Sequence, residues 1–495
     1  MISGTPTEIE SEGPRRSPMI RVMNKVQRSG LGTAVVLCVA SIAVAGCSSG
    51  NSGSQPIADA SPGGSASGGG QGSGSGASSS GGSSSGGSTS GSASGGLADA
   101  AHNVDGGVGS CLGASELGAL GKQRLLIGVS TSDAPTVAAA PFDLRYEYLS
   151  GGLFDGTAPC ASCATGCTAN GTTCANSGSG CAWWGCWQYD QDPPGAYVRG
   201  FDTGCASASP AQIPMFTYYE ILQSSSAVEG AAEVRAATSA TLMTRYFADW
   251  RFLLQQIGQA TAILHIEPDF WGYAEQLASD PTTLAAAVAS ANPTDCASMP
   301  NTIAGMGQCM ISMVRQYAPN ALVGLHASAW GTNVDVAMNT DASFDVAGEA
   351  AKVAAFLAAC GETNADLVIV ETSDRDAGYY QSQGRNAWWD ATNATLPDFH
   401  QDFAWVKALT EALGKPALYW QTPLGNMNQN NTTNHWQDNR VDYFLGHMGE
   451  LAAAHVLGAA FGAGAADQTL PETDGNNLVT KTNAYASTGG QALCQ

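Results

Sequence analysis

From residue 98 onward, eight short β-rich runs alternate with helical stretches, and no other feature restricts the fold so tightly. The runs cover 125–130, 143–149, 213–219, 262–267, 321–326, 366–371, 416–421 and 455–461. Between them, segment 227–258 carries Val234, Leu242, Tyr246, Leu253 and Ile257 at roughly helical spacing. Segments 347–360 and 402–413 are amphipathic too, and an Ala-rich helix is expected over 280–291, started by Asp280-Pro281. Strand–helix alternation calls for parallel strands with helices outside. Eight such units over residues 98–495 predict an α/β protein, a (β/α)8 TIM-like barrel with long loops. The competing arrangement is an open doubly wound sheet. Its dinucleotide-binding form lacks support, because no Gly-x-Gly-x-x-Gly follows the first run.

Residues 1–47 read as an export signal. Arg15, Arg16, Arg21, Lys25 and Arg28 precede an apolar stretch over 31–45, too short for a comfortable transmembrane helix. The stretch ends in Val44-Ala45-Gly46-Cys47, which resembles the bacterial lipobox, so Cys47 is the expected lipidation site. Residues 48–97 are nearly all Gly, Ser and Ala, a composition that cannot bury a core and predicts a flexible tether. Such a tether spans roughly 40 Å. The expectation is an extracytoplasmic, membrane-anchored lipoprotein on the outer membrane or cell surface of a bacterium, touching the membrane through its lipid alone. The chain has 20 Lys+Arg against 42 Asp+Glu, a net charge of -22. So acidic a surface repels phosphate backbones, which argues against a nucleic-acid partner. Neutral ligands such as sugars do not feel it.

The 14 cysteines bear on compartment and fold together. Seven of them, Cys160, Cys163, Cys167, Cys174, Cys181, Cys186 and Cys205, crowd an insert over 150–212 after the second run. Cys160, Cys163 and Cys167 have a zinc-knuckle spacing, but exported thiols meet oxidants and pair. Setting aside Cys38 of the signal and Cys47 leaves 12, consistent with six disulfides of undetermined connectivity. A connection after a barrel strand lies on the C-terminal face, where barrel active sites are built. The insert brings Trp183, Trp184 and Trp187 there, either as platforms for the apolar face of a sugar or as the insert's own small core.

Side chains at strand C-termini face a barrel's mouth. By two-residue alternation the fourth run puts His265 and Glu267 on one face, followed by Asp269 and Trp271. The sixth ends in Glu371, followed by Asp374 and Arg375. The second offers Arg145 and Glu147 on one face and Tyr146 and Tyr148 on the other. Tyr218, His326, Trp330, Trp420, Gln421 and Asn426 complete the candidate binding residues. Carboxylates mixed with Trp and Tyr suit sugar cleavage. One carboxyl protonates the leaving oxygen, and a second acts as nucleophile or activates water. Glu267 and Glu371 are the expected catalytic pair, with Asp269 and Asp374 as substitutes. Salt bridges such as Glu371 with Arg375 or Glu147 with Arg145 are the structural alternative. A carbohydrate polymer is the expected partner; no cofactor or metal is implied, and oligomeric state is unknown.

Segment 262–273, Ala-Ile-Leu-His-Ile-Glu-Pro-Asp-Phe-Trp-Gly-Tyr, resembles the strand-end Glu-Pro-Asp motif of the family-six cellulases. Segment Tyr317–Trp330, with Leu-Val-Gly-Leu-His-Ala-Ser-Ala-Trp, resembles that family's following strand. The family's Pro-Asp-Arg-Asp-Cys and Lys-Pro-Pro-Gly-Glu segments are missing, and Gln421 stands where the largest clan of retaining barrel glycosidases has a Glu. The resemblance therefore implies a glycoside-hydrolase-like barrel and no particular family. Two rivals remain. In one, the same fold is a non-catalytic glycan-binding lipoprotein. In the other, His265, Glu267, His326 and Glu371 gather round a metal ion, although the His-x-His usual on strand one of such barrels is replaced by Leu-Ile-Gly-Val-Ser.

Overall fold

The computed structural model describes residues 111–131, 133–150, 153, 183–186, 194–225 and 227–494. The expected signal over 1–47 with Cys47, the expected tether over 48–97, Trp187 and most of the cysteine-rich insert lie outside the described residues. Eight strands, β1 (Leu126–Val129), β2 (Leu144–Leu149), β3 (Ile213–Tyr218), β4 (Ile263–Ile266), β5 (Leu322–Ala327), β6 (Val368–Glu371), β7 (Ala417–Thr422) and β8 (Val456–Phe461), pair in sequence order and close into a barrel. All pairs are parallel, including the β1–β8 seam. Every residue of β1, β3, β4, β5, β7 and β8 is buried. That fits strands covered on one side by packed side chains and on the other by helices. The open-sheet alternative is excluded.

Two glycines let neighbouring strands approach. A Cβ at Gly458, whose φ is +157°, would stand 2.2 Å from the Leu126 carbonyl oxygen across the β1–β8 seam. A Cβ at Gly324 would stand 2.0 Å from the Leu367 carbonyl oxygen. Neither strand pair could keep its register around a side chain.

The stretch 227–258 is two helices rather than one, Ala231–Ala236 and Ala240–Ile257. Ser239 starts the second by accepting the Leu242 N–H at 3.3 Å. Its buried face, including Leu242, Tyr246, Phe247, Trp250 and Leu253, covers the barrel. The helix expected over 280–291 does not form beyond the short 3-10 turn Pro281–Thr283. Asp280 caps that turn, but Asn301 then takes the Val288 and Ser290 N–H groups at 2.9 and 3.1 Å. Those donors are no longer available for helical bonds.

Disulfides join Cys111 to Cys494, tying together the two ends of the described chain, and Cys296 to Cys309. Cys205 and Cys360 are buried thiols. The expectation of twelve paired cysteines is therefore corrected: these two sit in the apolar core, where a thiol packs as a small hydrophobe. Among the described residues no helix is long and apolar enough to cross a membrane.

Candidate active site

The upper layer of the barrel interior is built from Tyr146, Tyr148, Thr217, His265, His326 and Trp420. The Trp420 ring packs edge-on against Tyr148 at 5.5 Å, His265 at 4.7 Å and His326 at 5.8 Å between centroids. His265 and His326 stack at 5.2 Å, with His265 Nε2 3.1 Å from His326 Nδ1 and His265 Nδ1 3.2 Å from Thr217 Oγ1. Both imidazoles are fully enclosed, and burial holds them neutral: His326 is pushed down to about 3 and His265 well below its ordinary range.

Alternation along β4 fails just past its end. Glu267 has φ +46° and Asp269 φ +65°, left-handed conformations unusual for residues with side chains. The turn swings Glu267 away from the His265 face. Its Oε1 accepts the backbone N–H groups of Glu220 and Ile221 at 3.0 and 3.2 Å, at the end of β3. Burial pushes its carboxyl up to about 8 against those bonds and the Tyr246 hydroxyl. The expected convergence of Glu267 with Glu371 is therefore corrected. The same turn delivers Asp269 instead.

Asp269, His326 and Glu371 each place a ligand-type atom within 4.8 Å of the other two. Asp269 and Glu371 are half-buried, so the pair is reachable. Burial raises both carboxyls. Asp269 goes to about 7, with Glu229 and Asp374 adding to the effect. Glu371 goes well above its ordinary range, helped by Asp269 and Asp374 and opposed by Gln421 and Arg375. Gln421, itself at φ +54°, donates its side-chain N–H to Glu371 Oε1 at 2.8 Å. Several buried polar atoms around the pair have no hydrogen-bond partner: His326 Nε2, Trp420 Nε1 and Gln421 Oε1.

The remaining predicted residues divide between rim and core. Asp374 lies at the rim, its side chain 38% exposed, bonded by Arg375 and by the Tyr380 hydroxyl. The anticipated Arg375 pairing thus goes chiefly to Asp374. Trp330 is half-buried against Tyr273, ring centroids 4.7 Å apart. Glu147 does not face the mouth; it points outward with Arg145 and accepts from the Tyr197 hydroxyl at 3.2 Å. Tyr218 also points outward, its hydroxyl donating to Asp249 at 2.9 Å. Trp183 and Trp184 are not platforms. Both are buried, donate their indole N–H groups to the same Asp249, and pack on Phe252. Trp271 is 1% exposed and donates to the Ile266 carbonyl at 2.9 Å, closing the end of β4. Asn426 is a loop brace, accepting from Asn428 N–H and donating to the Asp474 carbonyl. Thr217, Tyr273 and Tyr380 were not anticipated. Thr217 and Tyr380 earn attention only through His265 and Asp374, contacts that a linear chain does not display.

No family model matches the sequence, and no curated protein matches it. Solved structures with a similar fold include a modular endo-β-1,4-mannanase from Cellulomonas fimi, of glycoside hydrolase family 26. It is 10% identical, the match covers 74% of this chain and 70% of that one, and the TM-score is 0.38. A family-44 xyloglucanase from Paenibacillus polymyxa is 11% identical over 73% and 76% of the chains, at TM-score 0.37. The endoglucanase Cel6 from Mycobacterium tuberculosis is 13% identical over 46% and 56%, at TM-score 0.25. Likenesses this distant leave the site's own geometry to speak for its chemistry.

Proposed function

We propose that this protein is a glycoside hydrolase acting on a polysaccharide, with Asp269 and Glu371 as the paired carboxylates. The observation that carries the reading is their approach within 4.8 Å at the barrel mouth. That spacing is nearer the roughly 5–5.5 Å of retaining enzymes than the 6.5–9.5 Å of inverting ones. In this reading Glu371, its carboxyl raised by burial and by Asp269 and Asp374 beside it, is the general acid that protonates the leaving oxygen. Asp269 attacks the anomeric carbon from the opposite side; water then resolves the glycosyl-enzyme, with Glu371 taking its proton. A hydroxyl-rich ligand would give partners to Trp420 Nε1 and Gln421 Oε1, and Trp330 with Tyr273 offers aromatic surface beside the pair. The Cys47 lipid and the tether of 48–97 would hold the barrel outside the membrane, within reach of a bulky polymer.

The test is release of reducing ends from a polysaccharide panel by the wild type, Asp269→Asn and Glu371→Gln. Both variants should lose about 10²–10⁴-fold in kcat, and NMR of the first product should show retained anomeric configuration. Tight polysaccharide binding without turnover by the wild type would instead establish the glycan-binding alternative. Metabolic labelling with a fatty acid, lost in Cys47→Ala, tests the anchor.

A further inference from the structure

We propose that Asp269, His326 and Glu371 together bind one divalent transition-metal ion, through two carboxylate oxygens and one imidazole nitrogen. Three observations meet here. The three residues bring ligand-type atoms within 4.8 Å of one another. His326 is 1% exposed, and its Nε2 is buried without a partner, while its Nδ1 is already engaged by His265. Two of the three ligands are also braced from behind. His265 and Thr217 hold the His326 ring through the contacts at 3.1 and 3.2 Å, and Gln421 holds Glu371 at 2.8 Å. Outer partners of this kind orient metal-binding imidazoles and carboxylates. When His326 Nδ1 carries the proton and donates to His265 Nε2, its Nε2 presents a lone pair, which is what a metal needs.

The donor set narrows the ion. An imidazole nitrogen with two carboxylates suits zinc, or another first-row divalent ion, better than calcium or magnesium, which favour all-oxygen cages. Three protein ligands leave zinc one open position. Of the four residues that the sequence suggested for a metal, the proposed site keeps His326 and Glu371, takes Asp269 in place of Glu267, and sets His265 behind. The ion would occupy both carboxylates that the proposed hydrolysis needs. On that reading it is a reversible inhibitor that competes with substrate; the binding site itself does not depend on the reading.

The experiment is calorimetric titration of the full chain with zinc chloride, after removal of metal by EDTA and exchange into chelator-free buffer. One site per chain is expected. His326→Ala and, separately, His326→Gln should weaken it at least tenfold with an unchanged circular dichroism spectrum. His400→Ala, at a surface histidine 60% exposed, should leave it unchanged. No stoichiometric binding, or binding that survives both His326 variants, overturns the proposal. A parallel assay separates the two claims. Zinc that raises KM and spares kcat supports inhibition. Activity that EDTA abolishes and zinc restores overturns inhibition and the metal-free carboxylate mechanism, while the site stands. Hydrolysis by a chain that binds no zinc overturns the site and leaves the hydrolase reading standing.

Discussion

Two carboxylates separated only by Pro268 meet opposite environments. Glu267 is fully buried and held by backbone N–H groups from the end of β3, whereas Asp269 stands only half-buried beside Glu371. A Gln at 267 keeps an oxygen for those two N–H groups, so Glu267→Gln should retain most of the wild-type activity, within about threefold. A loss comparable to that of Asp269→Asn would restore Glu267 to the catalytic pair. The same variant has a stability signature. The folded pKa of Glu267 is raised from 4.5 to about 8. Its contribution is therefore fully present below pH 4.5 and is lost as pH rises through 8, because ionisation strands a charge in the core. The loss is on the order of a few kcal/mol. Denaturant titrations at pH 5 and pH 8.5 should show a smaller pH-dependent fall in Glu267→Gln than in the wild type. An equal fall in both would place the titration elsewhere.

Each of the eight predicted strand runs overlaps an observed strand, and this is physically understandable. A parallel barrel strand is buried on both faces, so it must be a short apolar run bounded by polar residues, which a linear sequence displays directly. Strand ends are another matter. Period-two alternation assigned Glu267 to the His265 face, and a left-handed residue immediately after β4 cancelled that inference. On β2 the alternation held, but which face looked inward depended on Arg145 and Glu147 finding partners on the helix Ala196–Ala206, through Phe201 and Tyr197. The tryptophans of 183 and 184 were legible as aromatic but not as partners of Asp249, a residue 65 or more positions away. Closure of the barrel makes a sharper prediction. Gly458→Ala puts a methyl against the Leu126 carbonyl at the β1–β8 seam. It should destabilise the fold by roughly 2–4 kcal/mol, measured as a drop in denaturation midpoint. Gly384→Ala serves as the control for a positive-φ glycine in open space and should cost much less.

Across the molecule, buried acids set the response to pH. Burial raises Glu233 to about 9, Glu147, Glu275, Asp376 and Asp402 to about 7, and Asp249 to about 6, beside the two acids of the strand-4 turn. Each contributes stability that is complete below its unfolded pKa and is lost as pH climbs through the folded value. Buried His265 and His326 act in the opposite sense: their folded pKa values are lowered, so what they contribute is present above about 6.5 and lost on acidification. Two histidines are outnumbered, and the net charge of -22 adds self-repulsion as the remaining acids ionise. The melting temperature should therefore be several degrees higher at pH 5 than at pH 8; a melting temperature that increases from pH 5 to pH 8 would contradict the buried-acid account. Catalysis by the proposed pair runs the other way at its lower limb. Asp269 must be ionised to attack, and its pKa of about 7 implies that activity falls as pH drops through 7. Glu371 must keep its proton, so activity falls again on the alkaline side, where its raised pKa is passed. The pH optimum for turnover should thus sit above the pH of greatest stability. The two should separate in one experiment, initial rates and melting curves measured on the same buffers from pH 4.5 to 9. Coincident optima below pH 6 would mean that Asp269 is not the group whose ionisation limits the reaction.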